Sequence, residues 1–513
     1  MDPPLSEGDL VLGIDLGTTT VKICVINAVS KEIVLEKARK TNADISTADL
    51  AASYANAEAV KDVVGFSEQD VRKIWTTVNG LLAGVDDSLT GKIKAIGLCG
   101  QQHGVMFWNQ ASCDEEIEDL HKDIPVGCSI SSLITWQDQR CSREFLDSLP
   151  HAEPKQVVAT GYGSASIFWL AKNAPDHLNG YDRAGTVMDF FATILARGRS
   201  MISPQNAETW GFFDRFEMSW NWDRLKESAF PIDLLPAISG QGCFLFVGHL
   251  RATARRNGED VHLERSWHGI TKRSVYVGVA YGDLQTSFIA TVQNDDDAVL
   301  NFSTSSQVSF IRTRTDLPIP SSCDVRTYFG RMPDGVESHA GRELIVAPSL
   351  NGGNVLTFFV HNLKEWVESI GGTVNEEDIW PRVIALANEK NWAESNDPTV
   401  KPTLYGERFD ANLRATVGNL SLVNADLGSL IRGILKGVID NLEAMLPADY
   451  LRQSNVKRIV LTGSLFRTFP QLVQHVSRVF GLPIVLKEDT RDAAFGAALA
   501  VSTMTKDAWL QYL

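Results

Sequence analysis

Two runs of apolar, largely β-branched residues close around a connection that no buried strand would keep. Val11 to Val25 reads VLGIDLGTTTVKICV. Leu10 to Ile14 predicts a strand, and Val21 to Ile26 predicts its antiparallel partner. Asp15, Leu16, Gly17, Thr18 and Thr19 are left to join them. Gly17 predicts a tight turn with positive φ. A turn of small residues lets backbone N–H groups and threonine hydroxyls converge on an anion. Asp15, at the end of a buried strand, can hold a cation beside that anion. The stretch therefore constrains the chain to a sheet whose first hairpin carries a phosphate–metal site. A plain hairpin turn with a polar aspartate is the alternative.

A chain of 513 residues is long enough for two or more domains with ample core. The formal net charge of −15 argues against nucleic acid or anionic membranes as main partners. No apolar run approaches a membrane span, and the acidic, proline-rich start MDPPLSEGDL does not resemble a secretory signal. The 7 cysteines are dispersed without a CxxC pair. That pattern predicts free thiols in a reducing, cytoplasmic setting. There is neither a Walker-type glycine loop nor HExxH, so any nucleotide chemistry needs another phosphate cradle.

Along the chain, Glu32 to Lys37 predicts a third strand and Ser67 to Leu82 a helix with Val71, Ile74, Val78 and Leu81 on one face. Ile93 to Leu98 predicts a buried strand running into Gly100-Gln101-Gln102-His103-Gly104. A polar cluster at a strand end is where open α/β sheets place ligands. Thr135-Trp136-Gln137-Asp138-Gln139-Arg140 sets an indole beside a carboxylate, amides and a guanidinium. Such a set suits a polyol, the ring covering C–H groups and the polar groups bonding hydroxyls. A surface ion pair beside a core tryptophan is the plainer reading. His249 to Arg273 holds 6 Arg or Lys and 3 His. It reads as a solvated connection and a domain boundary.

Beyond it, Val275 to Ala280 predicts a strand leading to Gly282, Asp283, Leu284 and Gln285. Val299 to Phe302 and Val308 to Ile311 predict a hairpin joined through Ser303, Thr304, Ser305 and Ser306. The opening theme of strand, hydroxyl-rich turn and strand has thus returned. Two such halves facing each other could clamp the phosphates of one nucleotide. Asn351-Gly352-Gly353 precedes a helix from about Val355 to Ile370, a glycine-rich N-terminus suited to an anion. Arg458 to Leu461 predicts a strand entering Thr462-Gly463-Ser464, with helices at Gln471 to Phe480 and Ala493 to Ser502.

With these residues laid out, the chain resembles the FGGY family of carbohydrate kinases from about Leu10 to Ala500. GIDLGTTTVK is similar to the first phosphate motif and GQQHG to the sugar-site turn. TWQDQRC resembles the W-x-D-x-R segment, VGVAYGD the strand bearing the catalytic aspartate, and NFSTSSQ the second phosphate turn. PTLYGER is similar to P-x-x-x-G-E-R, and IVLTGS to the adenosine loop. Within the family, WQDQRC, GDLQ, NFSTSSQ and SLNGGNVL look most like kinases of a seven-carbon ketose, with pentulose kinases as near neighbours. Two departures stand out. Leu284 replaces the asparagine that follows the catalytic aspartate in many pentulose kinases, and Thr462-Gly463 replaces a Gly-Gly pair.

The resemblance implies an α/β, two-domain actin-like (ribonuclease-H-like) ATPase fold with the ligand cleft between domains, here residues 1–272 and 273–513. It implies ATP as co-substrate, Mg²⁺, and transfer to the terminal hydroxyl of a small-molecule ketose, with no nucleic acid or membrane partner. Asp283 is expected to be the catalytic base and Asp15 the metal residue. Gln101, His103, Trp136 and Asp138 are expected at the sugar, with Arg140 orienting Asp138. Gly17, Thr18, Thr19, Thr304, Ser305, Gly352, Gly353, Gly463 and Ser464 are expected at the nucleotide, Gly352 and Gly353 through backbone donors. An actin-like ATPase would need the two phosphate turns but not Trp136, Asp138 or Asp283. A sugar-sensing pseudokinase would need neither Asp15 nor Asp283.

Overall fold

The computed structural model describes residues 5–117, 119–151, 158–196, 200–228, 230–239, 248–249, 253–256, 259–262, 267–268, 270, 275–328, 342–393, 395–410, 412–487 and 491–502. The chain opens with strands β1 (Leu10–Leu16), β2 (Thr20–Asn27) and β3 (Ile33–Lys40) in an antiparallel meander. β1 is apolar but for Asp15 and is buried along its whole length. β3 alternates between half-buried and exposed residues, as an edge strand should. Helix α1 (Val71–Leu82) follows, its start fixed by Asp70, whose carboxylate accepts the Arg72 N–H. The helix therefore begins later than the spacing from Ser67 suggested. Glu68–Gln69 instead pairs as a short strand with Leu133–Ile134.

β4 (Ile93–Gly100) runs parallel to β1. Helices α2 (Val187–Ala196) and α3 (Pro204–Glu208) precede β5 (Gly248–His249), β6 (Tyr276–Val277) and β7 (Tyr281–Gly282). The first sheet has the order β5-β6-β4-β1-β2-β3, with β7 also pairing with β4. Residues from Leu50 to Leu234, on both sides of β4, carry a separate core of their own around Tyr162, Trp169, Trp210 and Trp220.

After α4 (Asp283–Thr291), the second sheet repeats the plan with β8 (Asp297–Phe302), β9 (Ser306–Ile311), β10 (Asp324–Tyr328) and β11 (Arg342–Ser349). Helices α5 (Gly353–Ser369) and α6 (Leu427–Met445), strand β12 (Arg458–Thr462), helix α7 (Gln471–Phe480), strand β13 (Ile484–Leu486) and helix α8 (Ala493–Ser502) complete it. Its order is β10-β11-β9-β8-β12-β13, antiparallel through β8 and parallel from β8 to β13. Both sheets thus set an antiparallel meander beside parallel strands.

Three expectations change. Gly17 does not have positive φ. It is required sterically, because a Cβ there would stand 2.7 Å from the Thr20 carbonyl oxygen. The strand expected from Val275 to Ala280 does not open the second sheet. Its residues pair with β4 of the first, so the sheets divide after α4 rather than at 272/273. The last helix also returns to the first sheet. A Cβ at Gly13 or Gly97 would stand 1.9 or 2.1 Å from carbonyl oxygens of α8, and one at Gly496 would stand 1.9 Å from the Thr286 carbonyl of α4. Most of the connection expected from His249 to Arg273 lies outside the described residues.

Buried in α2, Asp189 accepts from the Thr186 N–H and hydroxyl at 2.9 and 2.7 Å, while its Oδ1 has no partner. Burial pushes its carboxyl from 3.8 up to about 7. Between those values the folded chain keeps a proton that the unfolded chain has released, so stability falls as pH rises through that window. Asp189→Asn removes the titration. In urea unfolding it should gain about 2 kcal/mol more relative to wild type at pH 8 than at pH 5. An equal change at both pH values would overturn this account.

Candidate active site

Asp15 ends β1 with Cys99 of β4 on one side and Lys22 of β2 on the other. Its Oδ1 is buried without a hydrogen-bond partner. Burial, and then the charge of Asp283, push its carboxyl up to about 7. Asp283 is the first residue of α4, following β7 directly. Its Oδ1 accepts the Leu284 N–H at 2.8 Å, and burial pushes its carboxyl up to about 6. Asp283 thus stands close enough to raise the proton affinity of Asp15, the two lying at the ends of strands that flank β4. Among the described residues no group of three or more His, Cys, Asp or Glu could hold a metal by itself. The orphaned Asp15 oxygen does fit Mg²⁺, which is commonly held by one or two carboxylates with waters and substrate phosphates.

Helix α3 positions the turn that carries Asp283. Gln205 accepts the Gly282 N–H at 2.8 Å and donates to Gln102 at 3.0 Å. Asn206 donates to the Ala280 carbonyl at 3.2 Å. A Cβ at position 282 would stand 2.1 Å from Gln102 Oε1 and would push that side chain away from Gln205. One turn further along, the Thr209 carbonyl lies 2.9 Å from His103 Nδ1. A carbonyl only accepts, so Nδ1 carries the proton and Nε2 is left as an acceptor. Burial, then Arg408 and Arg326, hold the imidazole well below its usual range, so it stays neutral. The ring stacks on Tyr162 with centroids 4.4 Å apart, and its backbone has φ 75°. The last residue of α3, Glu208, reaches the second sheet, accepting the Thr327 N–H at 2.6 Å.

The first phosphate turn is braced from the expected sugar residues. Trp136 donates its indole N–H to Thr18 Oγ1 at 3.0 Å, and Gln69 donates to the Thr18 carbonyl at 2.8 Å. Gln101 donates to Gln69 at 2.8 Å. Gln101, Trp136 and Thr18 therefore form one network, and Thr19 stands exposed beyond it.

Asp138 departs from expectation. It is 0 % exposed, and both oxygens are committed, to Arg140 at 2.8 and 2.9 Å and to the Ser67 N–H at 2.8 Å. Arg140 continues to Glu68 at 2.7 Å and to Tyr54 at 2.9 Å. Asp138 is a strut of a buried ion network, with no lone pair turned to a sugar. Arg140 does orient it, as expected.

In the second half, Thr304 and Ser305 are exposed between β8 and β9. The glycines beside them do other work than expected. Gly353 N–H donates to the Ser303 carbonyl at 2.8 Å, and Gly352 N–H to Asn354 Oδ1 at 2.8 Å. Those donors are therefore spent within and between the two loops. A Cβ at Gly352 would stand 2.5 Å from the Ser305 backbone, so glycine is needed for contact between the two loops. Gly463, with φ 115°, lies against the Phe302 carbonyl, 2.2 Å from where a Cβ would be. Ser464 is exposed beside it. Thr304, Ser305, Gly352, Gly353, Gly463 and Ser464 thus gather at one end of the second sheet.

Residues that carried no motif signal hold much of this together. Glu68, Gln69, Gln205, Asn206 and Glu208 act only through folding. Gln285, in the first turn of α4, is buried with neither amide atom partnered. Glu407, within PTLYGER, takes four donors: Ser349 Oγ at 2.6 Å, the Leu350 N–H at 3.0 Å, Asn351 at 3.0 Å and Asn441 at 2.8 Å.

Replacing Asp138 by Asn should leave the buried Arg140 charge undercompensated and lower the unfolding free energy by about 3 kcal/mol. Urea unfolding measures it. A rise in the sugar KM with unchanged stability would instead return Asp138 to the ligand set.

Residues 10–243 match the model of the FGGY family of carbohydrate kinases, N-terminal domain. The chain is 36% identical to sedoheptulokinase of Mus musculus over 500 residues, 97% of this chain and 98% of the relative. The Homo sapiens sedoheptulokinase is also 36% identical, over 96% of this chain and 97% of its own length. A xylulose kinase structure from Rhodospirillum rubrum superposes with a TM-score of 0.71 at 16% identity, covering 97% of this chain and 91% of that one. That likeness carries the fold, a two-domain actin-like, ribonuclease-H-like ATPase architecture with its repeated sheet order. Family membership rests on the near full-length relatives, and with it the enzyme class of a phosphotransferase. The chain belongs to the FGGY family of carbohydrate kinases.

Proposed function

We propose that this enzyme transfers the γ-phosphoryl group of ATP to the terminal hydroxyl of sedoheptulose, giving sedoheptulose 7-phosphate. The observation that carries the chemistry is Asp283, a half-buried carboxylate at a strand end beside Asp15, with its carboxyl raised to about 6. The substrate reading rests on the 36% identity to sedoheptulokinases along nearly the whole chain.

Asp283 accepts the proton of the attacking hydroxyl. The helix dipole at the start of α4 favours its ionised form, and burial opposes it. The balance leaves a stronger base than an exposed aspartate, still ionised near neutrality. His103, neutral, accepts a sugar hydroxyl at Nε2, Gln101 contributes an amide, and Trp136 covers the C–H face. Thr18 and Thr19 approach the phosphates from one sheet, and Thr304 and Ser305 from the other. Gly463 and Ser464 lie at the adenosine, while Gly17, Gly352 and Gly353 shape the turns. Asp15 is the residue that would hold Mg²⁺, which supplies charge neutralisation on the transferring group when bound. Closing the two lobes over the sugar would exclude water. We place the lobes functionally near the expected halves, with β6, β7 and α8 belonging to the first. Six cysteines among the described residues are free, which supports a cytoplasmic setting.

Asp283→Asn should fold, bind sugar and lose roughly 10²- to 10⁴-fold in kcat. A variant keeping more than about a tenth of kcat would remove Asp283 from this role. In the wild type, kcat/KM should fall as pH drops through about 6, because protonation removes the base. A plateau extending to pH 4.5 would contradict the assignment. Asp15→Ala should raise the Mg²⁺ concentration needed for half-maximal rate while leaving sugar binding in place, and an unchanged Mg²⁺ titration would sink that role.

Substrate choice is tested by kcat/KM for sedoheptulose, xylulose, ribulose and glycerol under one set of conditions. Sedoheptulose should lead. Leu284 cannot bond a hydroxyl beside the base, so binding must come from groups further along the sugar. A shorter ketose leaves some of those unpaired, at about 1–3 kcal/mol each. Xylulose equalling sedoheptulose would leave only the wider kinase assignment.

A further inference from the structure

Arg408 is the charged residue of the PTLYGER segment with no role so far. Its backbone is held rigidly. Glu407 beside it takes four donors, and the Gly406 carbonyl accepts from Asn351 at 2.8 Å. Its guanidinium is half-buried, with no hydrogen bond or carboxylate partner among the described residues. What it does face belongs to the other lobe. It lies over the Tyr162 ring at 5.9 Å, and Tyr162 stacks on His103. Its charge also helps to keep that imidazole neutral. The neighbouring Arg326 is differently placed, being bonded to Asp324 at 2.7 Å.

A half-buried guanidinium set over an aromatic face keeps its N–H donors available for a ligand. Arg presents donors in a planar fork and no acceptor. Neighbouring hydroxyl oxygens of a polyol match that fork. The phosphate turns lie at Thr18–Thr19 and Thr304–Ser305, whereas Arg408 stands at the His103–Tyr162 stack. That stack is held by Thr209 at one end of α3, and the turn bearing Asp283 by Gln205 four residues earlier. One helical turn, roughly 6 Å, separates those anchors. A sugar whose terminal hydroxyl meets Asp283 needs a long chain to reach both His103 and Arg408.

From this arrangement we infer that Arg408 is a sugar-contacting residue supplied by the second lobe, donating to hydroxyls remote from the reacting end and thereby favouring long ketoses. The inference rests on the kinase reading above and adds a specificity determinant to it.

The test compares wild type, Arg408→Gln and Arg408→Lys with sedoheptulose, xylulose and glycerol, varying ATP in parallel. Arg408→Gln should raise the KM for sedoheptulose roughly 10- to 100-fold. The KM for ATP should stay unchanged, and xylulose and glycerol should lose far less. Arg408→Lys should recover only part of the loss, because a point charge cannot fork. An unchanged sedoheptulose KM, an equal loss on all three sugars, or a rise confined to the ATP KM would each overturn the inference. Wild-type indifference to sedoheptulose would defeat the substrate reading instead. Arg408 is then judged by the same comparison between the panel's best sugar and glycerol.

Discussion

Helix α8 lies so close to the first sheet that carbonyl oxygens stand where side chains would otherwise be. At Gly13, Gly97 and Gly496 even a methyl group would meet backbone within 2.1 Å. This contact joins the end of the chain to its beginning. It presses α8 against β1 and β4 on one side and α4 on the other, and those three elements carry Asp15, Cys99 and Asp283. The separation of the two acidic residues is thus set by backbone packing, which has little compliance.

That rigidity explains the electrostatics. Two carboxylates with raised proton affinity are unfavourable to keep together, and a loosely packed site would relax by letting water in. Here the backbone contacts of α8 hold the two strand ends at a fixed spacing, and the raised proton affinity remains. The same logic distinguishes Asp138. Its charge is fully compensated by Arg140 and the Ser67 N–H, so it has nothing left to offer a ligand. Asp15 Oδ1, by contrast, is left without a hydrogen-bond partner.

The cleft is also braced as a unit. Gln69 ties Thr18 to Gln101, Trp136 bonds Thr18, and α3 holds the Asp283 turn at one end and His103 at the other. Glu208 carries that bracing across to β10. The residues proposed for sugar and for phosphate therefore share supports, a physical route by which filling one part could order the other.

The sequence by itself determined the strands and most helices. Apolar period and turn residues are local signals, and β1, β2, β12, α7 and α8 fall where those signals put them. The repeated strand–turn–strand theme announced the duplicated sheet, and the motif order announced the family. Only the tertiary structure decided where the sheets divide, because strand pairing is non-local: β6 and β7 sit late in the chain yet pair with β4. It also decided what the polar residues do. A Gly-Gly pair reads alike whether its N–H groups point at a phosphate or, as at Gly353, at the Ser303 carbonyl. W-x-D-x-R does not reveal that its aspartate is saturated. Glu68, Gln69 and Gln205 have no pattern around them at all. Their importance comes from partners far away in the chain, which only folding brings within hydrogen-bond distance.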